Sequence, residues 1–332
     1  MRNTHKKIAL AVSLTVGVTL TAGIGGVSPS GAATPTATPY ELKGTKITSL
    51  TDILIAQEKG YFAEVGIRFK DMGAIKPQES ITALVRGDLD FILMHPDRLA
   101  QSRLQGIKLI AISPGMIDNP KYPHHIYFVK KGSPIKIAKD LIGKKIGIPF
   151  RGSCPDGILL DWLYQNGITK KQVEFVTLPE TELEQALKLG LVDVIGNHTT
   201  TYQAILNHGG VTKLIDTYQI VKNPNAGTSF SIAVTEKWAK THPEIAKGVV
   251  GAVIKAHDYI NNHRADATKI AAHYLKIPEK DVSAFYYDDQ KLITDERIQP
   301  WFDRMVKLGD LKPGQIKPSE IYTNQYNPHY RN

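Results

Sequence analysis

The sequence predicts an α/β protein of two lobes, each an open, mostly parallel sheet with flanking helices. Three observations carry this: an ungapped internal repeat, the order of elements around it, and two apolar strands placed where the chain would cross between lobes. Ala83–His95 reads ALVRGDLDFILMH and Ala186–His198 reads ALKLGLVDVIGNH, sharing Ala, Leu, Gly, Asp, Ile and His at six aligned positions. In each copy the pattern is a helix closing at a glycine (Gly87, Gly190), where a left-handed C-cap favours that residue. A short apolar strand then starts near Leu89 or Val192 and ends near Met94 or Gly196.

The likeness extends upstream. Ser49–Asp71 reads as a loop, a helix (IAQEKGYFAEV) and a strand over Arg68–Lys70; Arg151–Leu178 reads as a loop, a helix (GILLDWLYQNG) and a strand over Val173–Val176. Each half is therefore a β-loop-α-β-α-β unit. The apolar runs Ile126–Val129 and Phe230–Val234 read as the crossovers, and Pro243–Asn262 carries a helical stripe of Ile245, Val249, Val253 and Ile260. These marks predict a first lobe of 40–130 plus 231–332, with a second lobe of 131–230 inserted into it.

The N-terminus sets the expected compartment. Arg2, Lys6 and Lys7 precede an apolar stretch from Ile8 to about Ile24, and small residues follow through Ala33. This is the layout of a Sec signal peptide over 1–33, diluted by Thr15, Gly17, Thr19 and Thr21 below what a membrane span needs. No cysteine lies near the expected cleavage at Ala33, so the lipoprotein route is closed and the chain is expected in the periplasm or secreted. Residues 34–39 (TPTATP) read as a disordered leader. Loss of the three basic residues lowers the net charge from +9 to +6, without the Lys/Arg blocks of a nucleic-acid binder. Cys154 is the single cysteine, which excludes an internal disulfide.

Several segments resemble, in order, the nitrate/sulfonate/taurine-type solute-binding proteins of ABC importers: IAQEKGYFAEVGI, ALVRGDLDFI, DLIGKKIGI, VEFVTL, ALKLGLVDVI and WAKTHPEIAKGVVGAVIKAHDYI. The resemblance touches the thiamine-precursor enzymes too, but their cysteine-rich segment is missing here. It implies a type II periplasmic-binding fold that closes over a small-molecule ligand, a membrane permease and an ATPase as partners, a monomer, and no catalytic residues or cofactor.

In open α/β sheets ligands bind beyond the carboxyl ends of the strands, so four loops matter: 48–52, 95–97, 149–154 and 197–201. Arg151, Gly152, Ser153 and Cys154 precede or open a helix, where free N–H groups, a hydroxyl and a forked cation suit an anion. The bland reading of the same residues is an ordinary capped helix with a solvated arginine. Ser49 and Thr51 are the first-lobe counterparts, with Asp52 a first-turn or capping acid. His95 with Asp97, and Asn197, His198 and Thr199, end equivalent strands on opposite lobes. Their spacing matches no compact metal motif, so no metal is expected. His124-His125 reads as surface or hinge, and Cys154 as a thiol of lowered pKa without a matched base.

The expected function is capture of a small organic anion, a sulfonate ahead of carboxylates. The alternatives are a neutral or aromatic heterocycle, such as a pyrimidine precursor or flavin, or an enzyme on the same fold. Arg151 turned into the cleft would favour the anion; Tyr61, Tyr202 or Phe230 lining its walls would favour a ring.

Overall fold

The computed structural model describes residues 38–331. The expected signal peptide and residues 34–37 of the leader lie outside the described residues. The strands, in chain order, are β1 (Tyr40–Gly44), β2 (Ile67–Asp71), β3 (Ile92–Met94), β4 (Leu109–Ser113), β5 (Met116–Ile117) and β6 (His125–Lys130). They continue with β7 (Lys145–Ile148), β8 (Glu174–Thr177), β9 (Val194–His198), β10 (Val211–Asp216), β11 (Phe230–Thr235) and β12 (Tyr286–Tyr287).

One sheet runs β10-β6-β9-β7-β8. Strands β8, β7 and β9 pair in parallel, and β6 runs antiparallel to both β9 and β10. The first lobe is divided differently: β1 and β2 pair in parallel as one small sheet, and β11 runs antiparallel between β3 and β4 in another. In both lobes one late strand, β6 or β11, runs antiparallel to its two neighbours.

The repeat has a physical basis in the same two bonds made twice. Asp90 accepts from the Lys43 N–H through its carboxylate (2.8 Å), while its own N–H donates to the Lys43 carbonyl (2.9 Å). Asp193 does the same to Lys145, at 2.8 Å for both bonds. Each clamp ties the first strand of a unit to the segment entering its third. Gly87 and Gly190 close the preceding helices at φ of 79° and 76°, as the left-handed cap requires.

Helices cover both faces of each sheet. Ile126 and Phe128 of β6 pack with Leu183 and Leu187, whereas Tyr127 and Val129 pack with Ile158 and Leu163. This is why β6 reads as an unbroken apolar run: it is buried on both faces. In the first lobe Leu54, Val253 and Ile260 form one core, and Met94, Leu99, Phe230, Trp301 and Met305 another. Cys154, which opens a helix of the second lobe, packs into this last cluster, so the two lobes touch there. No helix among the described residues is long and apolar enough to cross a membrane.

Candidate functional site

The repeat places His95 and His198 alike, each as the residue before a helix: Pro96–Leu104 after His95 and Thr199–His208 after His198. Between them stand two more histidines. The β6–β9 register sets His125 directly opposite His198, and His124 precedes it. Ring centroids step from His95 to His124 at 4.8 Å, to His125 at 4.1 Å and to His198 at 4.6 Å. Of the expected surface or hinge position of His124-His125, the surface reading is overturned: both are buried, His125 inside the sheet opposite His198 and His124 just before β6.

The environment sets the charge of each ring. Burial lowers His95 to about 3 and holds His124 and His125 well below the usual histidine range. His95 Nδ1 lies 3.0 Å from the Thr228 carbonyl, which requires a proton on Nδ1 and leaves the lone pair on Nε2. The Asp118 carboxylate, pushed up to about 7 by burial, accepts from the His124 N–H at 2.7 Å and so fixes the approach to β6. At His198, burial opposes the charge but the Glu180 carboxylate, 3.1 Å from Nδ1, outweighs it and raises the ring.

Next to this row lies a cavity of ≈ 50 Å³ lined by Asp97, Gly152, Ser153, Cys154, Trp301 and Arg304, among others. Ser153 stands at the N-cap of the helix Cys154–Gln165 but makes no capping bond; its hydroxyl is buried and has no hydrogen-bond partner. Asp97 is half-buried, and burial raises its carboxyl. Asn197 is fully buried, gives its amide to the Thr201 hydroxyl at 3.3 Å and has no partner on Oδ1. Thr199 opens the next helix, and its side chain lies outside the described residues. A larger open groove of ≈ 730 Å³, near Lys108 and Lys237, holds none of the expected residues.

Several expectations are corrected. Arg151 does not line the cavity; it pairs with Asp156 at 3.0 Å, lies over the Phe175 ring at 3.9 Å and keeps 45% of its side chain exposed. A first-turn carboxylate is the nearest partner for a cation in that loop, and the local pair wins. The Cys154 thiol is raised well above its usual range by burial, which outweighs the helix terminus. In the first lobe the Thr51 hydroxyl accepts from the Leu54 N–H at 3.3 Å as an ordinary cap. Asp52 is in the first turn and meets His257 Nε2 at 2.7 Å. Ser49 is buried, and among the described residues no hydrogen bond joins Ser49 or Thr51 to the histidine row. Of the aromatic candidates, Tyr61 faces Lys255, Phe230 is core and Tyr202 packs in the second lobe's core.

Two site residues come from a helix that sequence reasoning passed over, Asp295–Leu308. Trp301 stacks on His95 at 5.2 Å, and Arg304, 8% exposed, has no hydrogen bond on Nε. Its nearest carboxylate, Asp161, is 4.0 Å away. The signal was present: Arg297, Trp301 and Arg304 follow one another at helical spacing beside an apolar stripe, which puts two cations on the buried side.

Comparison with known proteins agrees with this architecture. No curated protein matches the chain in sequence. Among solved structures, the periplasmic aliphatic sulphonate binding protein SsuA of Escherichia coli superposes with a TM-score of 0.69 at 19% identity, covering 87% of this chain and 99% of its own. The ligand-binding component of an ABC-type import system from Staphylococcus aureus, solved with zinc bound, gives 0.73 at 14% identity, covering 89% and 100%. The desulfurization enzyme DszB shares the fold as well, at 0.61 and 16% identity, covering 87% and 98%. At these identities the likeness establishes the two-lobed periplasmic-binding fold. The family model described as NMT1/THI5 like matches residues 47–267, and the chain belongs to that family.

Proposed function

We propose that this chain is the extracytoplasmic solute-binding component of an ABC importer, and that it holds a small organic anion, sulfonate-like, where the two lobes meet. The observation that carries the reading is the pairing of Ser153 with Arg304 on the walls of one cavity: a buried hydroxyl and a buried guanidinium nitrogen, both without hydrogen-bond partners. Buried polar groups are ordinarily satisfied, and these two are of the kind an oxyanion satisfies. The N-terminal end of the helix Cys154–Gln165 adds a favourable dipole, although Pro155 supplies no N–H there. The Escherichia coli neighbour's ligand class, an aliphatic sulphonate, is of this chemistry.

The cavity of ≈ 50 Å³ is far below the roughly 300 Å³ at which small-molecule sites begin, so loading requires the lobes to part. β6 is bonded into the second sheet, so the first crossing lies before His125 rather than at residue 130, and the second lies between β10 and β11; these two crossings are the hinge. A permease and an ATPase are the partners, and export follows cleavage near Ala33. Burial pushes the Cys154 thiol up, which disfavours it as a nucleophile.

Mass spectrometry of solute co-purifying with the protein, followed by calorimetry against alkane- and arenesulfonates, pyrimidines and flavin, tests the reading. Saturable sulfonate binding that Arg304→Gln weakens at least about tenfold supports it. Binding of a neutral heterocycle, unchanged by Arg304→Gln, overturns it.

A further inference from the structure

We propose that His95, His124 and Cys154 form a binding site for a zinc-class metal ion at the junction of the lobes. One ligand atom from each residue lies within 4.8 Å of the other two, and all three residues are buried. His95 follows β3 of the first lobe, His124 leads into β6, and Cys154 opens a helix of the second lobe, so a bound ion would bridge elements that the anion reading requires to separate.

The chemistry of the set favours a borderline ion. One thiolate and two imidazoles suit zinc and disfavour magnesium or calcium, which take oxygen ligands. Zinc–sulfur and zinc–nitrogen bonds of about 2.3 and 2.0–2.1 Å at tetrahedral angles put ligand atoms roughly 3.3–3.6 Å apart. From a spread of 4.8 Å the groups therefore draw in by no more than about 1.5 Å, a side-chain adjustment. Three protein ligands leave one position of a tetrahedral shell for water or a solute donor.

The surroundings are built for ligation. His95 Nδ1 donates to the Thr228 carbonyl, the outer bond that orients a metal-binding histidine and presents Nε2. Trp301 stacks on the same ring and sets its plane. On binding, the Cys154 thiol loses its proton to solvent and the metal–sulfur bond replaces the S–H bond.

The inference stands apart from the anion reading, and one experiment separates them. The purified full-length protein, stripped with a chelator and checked by circular dichroism, is titrated with Co²⁺ and then Zn²⁺. One equivalent of Co²⁺ should give a sulfur-to-cobalt charge-transfer band in the near ultraviolet, displaced stoichiometrically by Zn²⁺. Cys154→Ser, a one-atom change, should lose the band while remaining folded; His95→Ala and His124→Ala should each weaken binding at least about tenfold. A folded, stripped protein with no band and no stoichiometric zinc overturns the proposal, as does a band that survives Cys154→Ser. Sulfonate calorimetry on the stripped wild type reads the anion site independently: binding there without a metal band removes the metal site and leaves the importer reading intact.

Discussion

The two lobes use the same strand-turn-helix corner to opposite ends. In the first lobe the corner is satisfied from within: Thr51 caps Leu54, and Asp52 is held by His257 Nε2 at 2.7 Å and gives its N–H to the Tyr287 hydroxyl at 3.0 Å. In the second lobe the equivalent corner is left open. Ser153 occupies the capping position without capping, Gly152 turns through a φ of 75° to give its N–H to Asp156, and Cys154 faces the other lobe. The matching clamps at Asp90 and Asp193 show the shared scaffold, and the corners differ in their loops and in the partners, His257 and Tyr287, that reach only the first. A duplicated scaffold thus carries one copy of the loop satisfied from within and the other with an unpartnered buried hydroxyl, the one the proposed function uses.

The largest effect should come from breaking the closed corner. Asp52→Ala strands the buried His257 and should cost roughly 3 kcal/mol in denaturant unfolding, with sulfonate affinity unchanged. A loss of binding at preserved stability would instead place Asp52 among the ligand contacts.

Arg304→Gln probes the open side. Loss of a charge-assisted bond to a desolvated anion should weaken binding by about 1.5–3 kcal/mol, or roughly 10- to 150-fold by calorimetry. Unfolding of the empty protein should be unaffected or slightly harder, because a buried cation with a partner no nearer than 4.0 Å contributes little.

The paired substitutions Thr51→Ala and Ser153→Ala sharpen the comparison most directly. The first should cost about 1 kcal/mol of stability as a lost cap and leave affinity alone. The second should leave stability alone and weaken anion binding by up to about tenfold, since the helix N–H groups remain. Thermal unfolding and calorimetry of both variants give four readings, and equal behaviour of the two would erase the distinction between the corners.

Arg151→Ala should do least. The guanidinium is nearly half-exposed and paired locally, so both stability and affinity should move by less than about 0.5 kcal/mol. A tenfold loss of affinity would return Arg151 to the anion site in place of Arg304.

By itself the sequence determined the α/β class and the repeat, and it pointed to the loop of Ser153 that the proposed site uses. Apolar periodicity and glycine caps act within a few residues, so ALVRGDLDFI and ALKLGLVDVI announce their helices and strands unaided. They also announce the equivalence of His95 and His198, because repetition preserves position. Only the tertiary structure decided which side chains meet. The burial of His125 follows from the β6–β9 register, and the bond from His95 to Thr228 spans 133 positions. Arg304 and Trp301 reach the cavity from a helix about 150 residues beyond Ser153, whose own spacing says that one face is buried but not against what. Arg151 turned outward for a local reason, the Asp156 carboxylate, that competed with the expected ligand. Local patterning fixes which surfaces are apolar and where chains turn; the pairing of those surfaces is a global packing outcome, and the chemistry of this site is made at the pairing.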